Sequence, residues 1–191
     1  MVELVKEKDK KFLLQLARDA IRYYFDTNEV IEPDLSAMPF ELSRDRGVFV
    51  TLYIGDDLRG CIGYIDPIKE IWRGVVENAI NAAFHDTRFK ALKKEEFDKI
   101  NIEISVLSDL EPIAYVDGPD LFEKIEEGTG IVIRRGMASG TYLPDVWSQF
   151  KDKKDFLSSL CEKIGLKHDA WLREILKVYS YKTNTFSEEH D

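Results

Sequence analysis

The sequence predicts an α+β protein built on antiparallel strand pairs, and three observations carry that reading. Residues 48–54 and 58–65 are short runs rich in β-branched and aromatic residues, joined by Gly55-Asp56-Asp57, the pattern of a hairpin. Residues 9–27 and 67–85 instead repeat their apolar side chains at helical spacing. The order hairpin, helix, strand then recurs later in the chain without sequence identity between the copies, a weak structural repeat within one domain of 191 residues. A seam at 108–127, with Pro112, Gly118 and Pro119, divides approximate halves 1–110 and 120–187.

Taken in order, the first helix places Leu13, Leu16, Ala17, Ala20 and Ile21 on one stripe, with Asp9 as its expected cap. Pro33 and Pro39 mark an irregular connection, which Phe40 and Leu42 are expected to pin to the core. After the hairpin, Asp66-Pro67 is expected to open a second helix, with Ile71, Trp72, Val75, Val76, Ala79 and Ala83 on a wide apolar face. A short charged helix at about 93–98 leads into a third strand, Ile100 to Leu107. Beyond the seam come a short helix at about 119–126 and a second hairpin at 130–135 and 138–143. A helical turn after Pro144 and a helix at 153–164 follow, the latter capped by Asp152 and stopped by Gly165. A helical turn at 169–173 and a strand at 175–182 complete the chain.

Composition narrows the class of function. Hydrophobic residues at 44% with 33% charged describe a soluble globular protein, and no apolar run approaches the roughly 20 residues a membrane span needs. The N-terminus has no apolar leader, so the cytoplasm is expected. Acidic residues outnumber basic ones by 36 to 27, which disfavours duplex nucleic-acid binding, since that affinity comes from Lys and Arg neutralising phosphates. Cys61 and Cys161 have no metal-ligand spacing with one another or with the histidines, and no metal site is expected.

The chemistry-bearing stretch is residues 58 to 63, Leu-Arg-Gly-Cys-Ile-Gly. If the hairpin pairs so that Thr51 faces Cys61, side-chain alternation puts Phe49, Thr51, Tyr53, Arg59, Cys61 and Gly63 on one face, and Val50, Leu52, Ile54, Leu58, Gly60 and Ile62 on the other. The second set is an ordinary core surface. The first carries a hydroxyl, a guanidinium and a thiol, with Gly60 and Gly63 letting another group approach the backbone. In the third strand, Ile102, Ile104 and Val106 alternate with Glu103 and Ser105. If this strand joins the hairpin, Glu103 and Ser105 share the polar face and Glu103 is the natural partner of Arg59, while Asp86 and Arg88 close over the cluster from a helix end.

The hairpin motif, Ala82-Ala83 with Asp86-Thr-Arg-Phe89, Ile102-Glu-Ile-Ser-Val-Leu107 and Leu143-Pro-Asp-Val-Trp147 together resemble the AMMECR family over about residues 12 to 187, in the form of a stand-alone prokaryotic member. The resemblance implies a largely antiparallel, barrel-like sheet flanked by helices, in two interlocked halves. It names no reaction and no cofactor. It does imply action alongside Memo-like proteins and radical S-adenosylmethionine enzymes. The chain departs from the family pattern at Thr87, Thr129 and Asp145, which are therefore not candidates for chemistry.

Two functional readings follow. In one, the chain is a ligand- or partner-binding adaptor, with Thr51, Gly60, Gly63, Asp86, Arg88 and Ser105 around the ligand or holding the sheet in shape. In the other it is an enzyme, with Cys61 as nucleophile or redox thiol, Arg59 as anion or oxyanion partner and Glu103 as acid or base. Each residue also has a plainer role: Cys61 as packing, Arg59 and Glu103 as an architectural ion pair, and Asp86 with Arg88 as a fastening for the loop after the long helix. His85 reads as a solvated helix-terminal residue or as a base oriented by Asp86. Cys161, among Phe156, Leu157 and Leu160, reads as core.

Overall fold

In the computed structural model, which describes residues 3–34 and 38–188, the chain forms two compact units. The first comprises Met1–Ser108 with Asn184–Asp191, and the second Asp109–Thr183.

The first unit contains helices α1 (Glu7–Thr27) and α2 (Ile71–Phe84) and strands β1 (Val48–Ile54), β2 (Asp57–Tyr64) and β3 (Ile100–Leu107). Its sheet has the order β2-β1-β3-β8, where β8 is Thr183–Ser187. The alternation read from the sequence decides which face is buried. Val48, Val50 and Leu52 of β1 line up with Val106, Ile104 and Ile102 of β3, and all six are fully buried with the apolar stripes of α1 and α2. Buried Asn78 of α2 donates to the Val48 carbonyl at 3.0 Å, fixing the helix over the sheet. Arg18 of α1 ties down Glu188, next to β8. Its Nε and Nη2 donate to the Glu188 carboxylate at 2.7 and 2.6 Å, and its Nη1 and Nη2 reach the carbonyls of Phe97 and Ile100.

The second unit contains β4 (Glu111–Pro112), β5 (Gly130–Arg135), β6 (Ala138–Tyr142) and β7 (Lys177–Tyr181), in the order β4-β7-β5-β6. Helices α3 (Gly118–Lys124), α4 (Lys153–Lys163) and α5 (Ala170–Arg173) accompany them. Asp117 and Asp152 cap α3 and α4 by accepting the amides of Asp120 and Asp155, each at 2.9 Å. The core gathers Leu121, Ile131, Ile133, Phe156, Leu160 and Cys161, with the Trp147 ring stacked on Phe156 at 3.6 Å.

The α+β class holds, and the strands form two separate four-stranded sheets of linear order rather than one barrel. Several boundaries also move. Asp9 does not cap α1: Lys6 occupies that position, and Asp9 lies buried inside the first turn. Helix α2 starts at Ile71 instead of Asp66-Pro67, because the preceding segment bonds to an earlier one: Arg46 donates to the Lys69 carbonyl and Ile71 to the Arg44 carbonyl. The charged segment after α2 is a 3-10 turn, Lys94–Lys99. The last strand breaks at Lys182, so that β7 and β8 serve different sheets. Leu42 is fully buried as expected, whereas Phe40 is 78% exposed and pins nothing.

Candidate functional site

The hairpin register follows the sequence reading over most of its length. Thr51 faces Cys61, Phe49 faces Gly63 and Leu52 faces Gly60. On the other side of β1, Thr51 faces Glu103 and Phe49 faces Ser105. Cys61, Thr51 and Glu103 therefore form one row across three strands, and Gly63, Phe49 and Ser105 the next. Thr51 and Ser105 are buried, Cys61 and Glu103 half-buried. The Thr51 hydroxyl donates to Cys61 Sγ at 3.3 Å, and the Ser105 hydroxyl meets that of Thr185 on β8 at 2.8 Å.

Near the hairpin tip the register slips. Leu52 still faces Gly60, but Tyr53 faces Leu58, leaving Arg59 as an extra residue in β2. This bulge has two consequences. Leu58 moves opposite Tyr53 and is 40% exposed, instead of joining the core face. Arg59 takes a partner different from the expected Glu103: its Nε and Nη2 donate to the two carboxylate oxygens of Glu96 at 3.0 and 3.1 Å, with a longer bond to the Ala91 carbonyl. The 3-10 turn presents Glu96 in a capping box, in which its Oε2 also accepts the Lys93 amide at 2.8 Å. Arg59 foremost, then that amide, hold the Glu96 carboxyl below its ordinary range despite partial burial. Sequence reading missed Glu96, because Lys93 stands where a Ser or Thr would have signalled a capping box.

The cation beside the thiol is Arg88. Strand β2 lies at the edge of its sheet, so the Cys61 amide and carbonyl turn away from β1. The Cys61 N–H donates to Asp86 Oδ2 at 2.9 Å, and Arg88 Nη2 donates to the Cys61 carbonyl at 3.0 Å. Arg88 also binds Asp86 through its amide, Nε and Nη2, at 3.1, 3.0 and 2.7 Å. The pair thus does for Cys61 what a neighbouring strand would do. Arg88 foremost, together with the backbone amides of Cys61 and Arg88, lowers the Asp86 carboxyl from its usual 3.8 to about 2. Asp86, and to a smaller extent Cys61, raise the Arg88 guanidinium in turn. His85 is exposed at the end of α2, with Nε2 3.3 Å from the Tyr24 hydroxyl.

The space beside the two motif glycines is filled by the protein itself. A Cβ on Gly60 would lie 2.1 Å from the Ala82 carbonyl oxygen of α2, and one on Gly63 would lie 2.2 Å from the Phe49 ring. Cys161 is fully buried, and burial pushes its thiol up. Among the described residues, no group of three or more His, Cys, Asp or Glu is placed to hold a metal ion, and no helix is long and apolar enough to cross a membrane.

Chemically, the row offers a thiol that accepts a hydroxyl hydrogen bond and has a guanidinium alongside. Glu103 stands two strand spacings from Cys61, roughly 10 Å between backbones, with Thr51 in between. Asp86 stays ionised at neutral pH and accepts four hydrogen bonds, so it anchors the edge strand and is not poised to take a proton.

The chain folds as an α+β protein with two four-stranded antiparallel sheets. It belongs to the AMMECR1 family, whose model matches residues 14–186. It is 39% identical over 194 residues to protein MK0488 of Methanopyrus kandleri, covering 99% of this chain and 93% of that one. It is 38% identical over 199 residues to protein PH0010 of Pyrococcus horikoshii, covering 100% and 95%. The crystal structure of PH0010, described as an uncharacterized protein, superposes with a TM-score of 0.90 at 37% identity, over 98% of this chain and 95% of the other.

Proposed function

We propose that this chain is a binding domain, in which the polar face bearing Cys61, Thr51, Glu103 and Ser105 receives a ligand or partner without turning it over. One observation carries the reading. The charged residues around the motif are engaged in architecture, Asp86 and Arg88 on the Cys61 backbone and Arg59 on Glu96. They hold rigid the sheet on which half-buried Cys61 and Glu103 stand in one row with Thr51. The family resemblance supplies the class of partner, a Memo-like protein or a radical S-adenosylmethionine enzyme working in the cytoplasm. The test is isothermal titration of the purified chain against the Memo-like and radical S-adenosylmethionine proteins of the same genome. Binding that survives Cys61→Ser and weakens with Glu103→Gln supports the reading, and binding indifferent to both Glu103→Gln and Thr51→Val sinks it.

A second reading has its own observation. The Thr51 hydroxyl at 3.3 Å from Cys61 Sγ and the Arg88 guanidinium beside it are the surroundings that favour a thiolate, as a nucleophile requires. That reading demands a Cys61 alkylation profile with an apparent pKa below the free value of about 8.5. A profile at the free value would refute it.

A further inference from the structure

We propose that the helix layer of the first unit carries a separate binding surface, which takes a basic amphipathic segment of a partner protein. After α1, Asn28 turns the chain through the left-handed region at φ 59, and the following residues lie as a strap beside α1 and α2. Ile31 is half-buried against the core and fixes the strap in place, while Val30 beside it is 52% exposed.

Two clefts share this strap as a common wall. The one on the α2 side has a volume of ≈ 380 Å³ and includes Trp72 and Val76, which are only 8% and 1% exposed. The one that includes Tyr23 of α1 has a volume of ≈ 340 Å³. Each is as large as the smaller sites that receive ligands; across a ridge formed by Val30 and Ile31, the α2 cleft is the more apolar one and the Tyr23 cleft, bordered by Glu29 and Glu32, the more polar. A helix laid across such a ridge sets an apolar anchor into the α2 cleft and a basic residue at i+3 or i+4 into the acidic Tyr23 cleft.

The charges at the rim choose the partner. Arg73 lies over the Trp72 ring at 5.1 Å and pairs with Glu70, and Glu77 pairs with Lys69. Glu29 and Glu32 lie on the exposed side of the strap, one at the Tyr23 cleft and the other shared by both clefts. The strap therefore faces solvent with apolar side chains flanked by carboxylates, which complements a helix of Leu-type anchors flanked by Lys or Arg and repels its acidic counterpart.

The probe is a synthetic amphipathic Leu/Lys peptide, with a Leu/Glu peptide of the same pattern as its control, titrated calorimetrically into the full chain. The Leu/Lys peptide is expected to bind and the Leu/Glu peptide not. Two variants of exposed residues, Val30→Asp and the double variant Glu29→Lys with Glu32→Lys, are each expected to weaken binding about tenfold or more, equivalent to about 1.4 kcal/mol. The double variant Glu123→Lys with Glu127→Lys changes net charge equally in the second unit and is expected to leave binding unchanged. Equal loss in that control means general attraction to an acidic protein and overturns the proposal. Equal binding of the Leu/Glu peptide, or no binding of the Leu/Lys peptide, also overturns it.

Discussion

Asp86 accepts the backbone amide of Cys61 at 2.9 Å across the open edge of the first sheet, and it holds there the guanidinium that closes on the Cys61 carbonyl. The residue that ends the turn after α2 thereby fixes the edge strand and places the only half-buried cysteine of the chain. Sequence position hides this link, since Asp86 and Cys61 are 25 residues apart.

The Asp86 clamp predicts an acid-sensitive contribution to stability. Because the folded carboxyl is depressed from 3.8 to about 2, its contribution is present in full above about pH 4 and fades as the pH falls through about 2. The carboxylate side chain is 3% exposed but that of its main partner Arg88 is 55% exposed, so screening reduces the contribution to about 1 kcal/mol. Urea unfolding of wild type and Asp86→Asn at neutral pH should differ by about that amount, and the gap should narrow towards pH 2. A gap that is constant with pH would show that the carboxylate charge is not what fastens the strand.

Arg59 should couple to Glu96 and not to Glu103. The pair is bidentate, and its side chains are only 14% and 28% exposed, so a double-mutant cycle with alanine at both positions should give a coupling of about 1–2 kcal/mol. The corresponding cycle with Glu103 should lie within about 0.5 kcal/mol of additivity. Chemical denaturation of the five variants measures both, and a larger coupling to Glu103 would restore the original pairing.

Gly60→Ala should be severe and Gly55→Ala mild. At Gly60 the added carbon meets backbone, the Ala82 carbonyl oxygen at 2.1 Å, so α2 must shift away from the sheet at a cost of about 3 kcal/mol. Gly55 at the hairpin tip has φ +58 and nothing within 4 Å, so alanine there meets only the left-handed backbone penalty of about 1–2 kcal/mol. Thermal melts should rank the two in that order, and equal losses would mean that the helix yields easily.

The two cysteines should separate under iodoacetamide. Cys61 is half-buried with Arg88 alongside, whereas Cys161 is sealed in the second core with its thiol pushed up by burial. Mass spectrometry of native protein at neutral pH should find Cys61 alkylated first, and Cys161 only after denaturation. Arg88→Gln should slow Cys61 labelling, because it removes the positive charge that favours the thiolate. Labelling of Cys161 at a comparable rate would mean that the second unit opens readily.

The sequence by itself determined what depends on periodicity. Alternation over 48–54 and 100–107 set the buried face of the first sheet, and helical spacing identified α1, α4 and most of α2. Such patterns are local, and burial of one face enforces them. The Thr51–Cys61 and Phe49–Gly63 pairs came out as read, but by another route, because the turn is Gly55-Asp56 with Ile54 opposite Asp57 and the bulge at Arg59 restores the register beyond it. Only the tertiary structure decided the partners. One extra residue at Arg59 ended the register that pointed it at Glu103, and a 3-10 turn more than thirty residues away supplied Glu96 instead. The space beside Gly60 and Gly63 went to Ala82 and Phe49, and Asp86 with Arg88 took up the backbone of an edge strand that no periodicity marks as an edge. A buried or half-buried polar group is satisfied by whichever group the packing brings within about 3 Å, and that depends on how whole elements dock rather than on the spacing of residues along one of them.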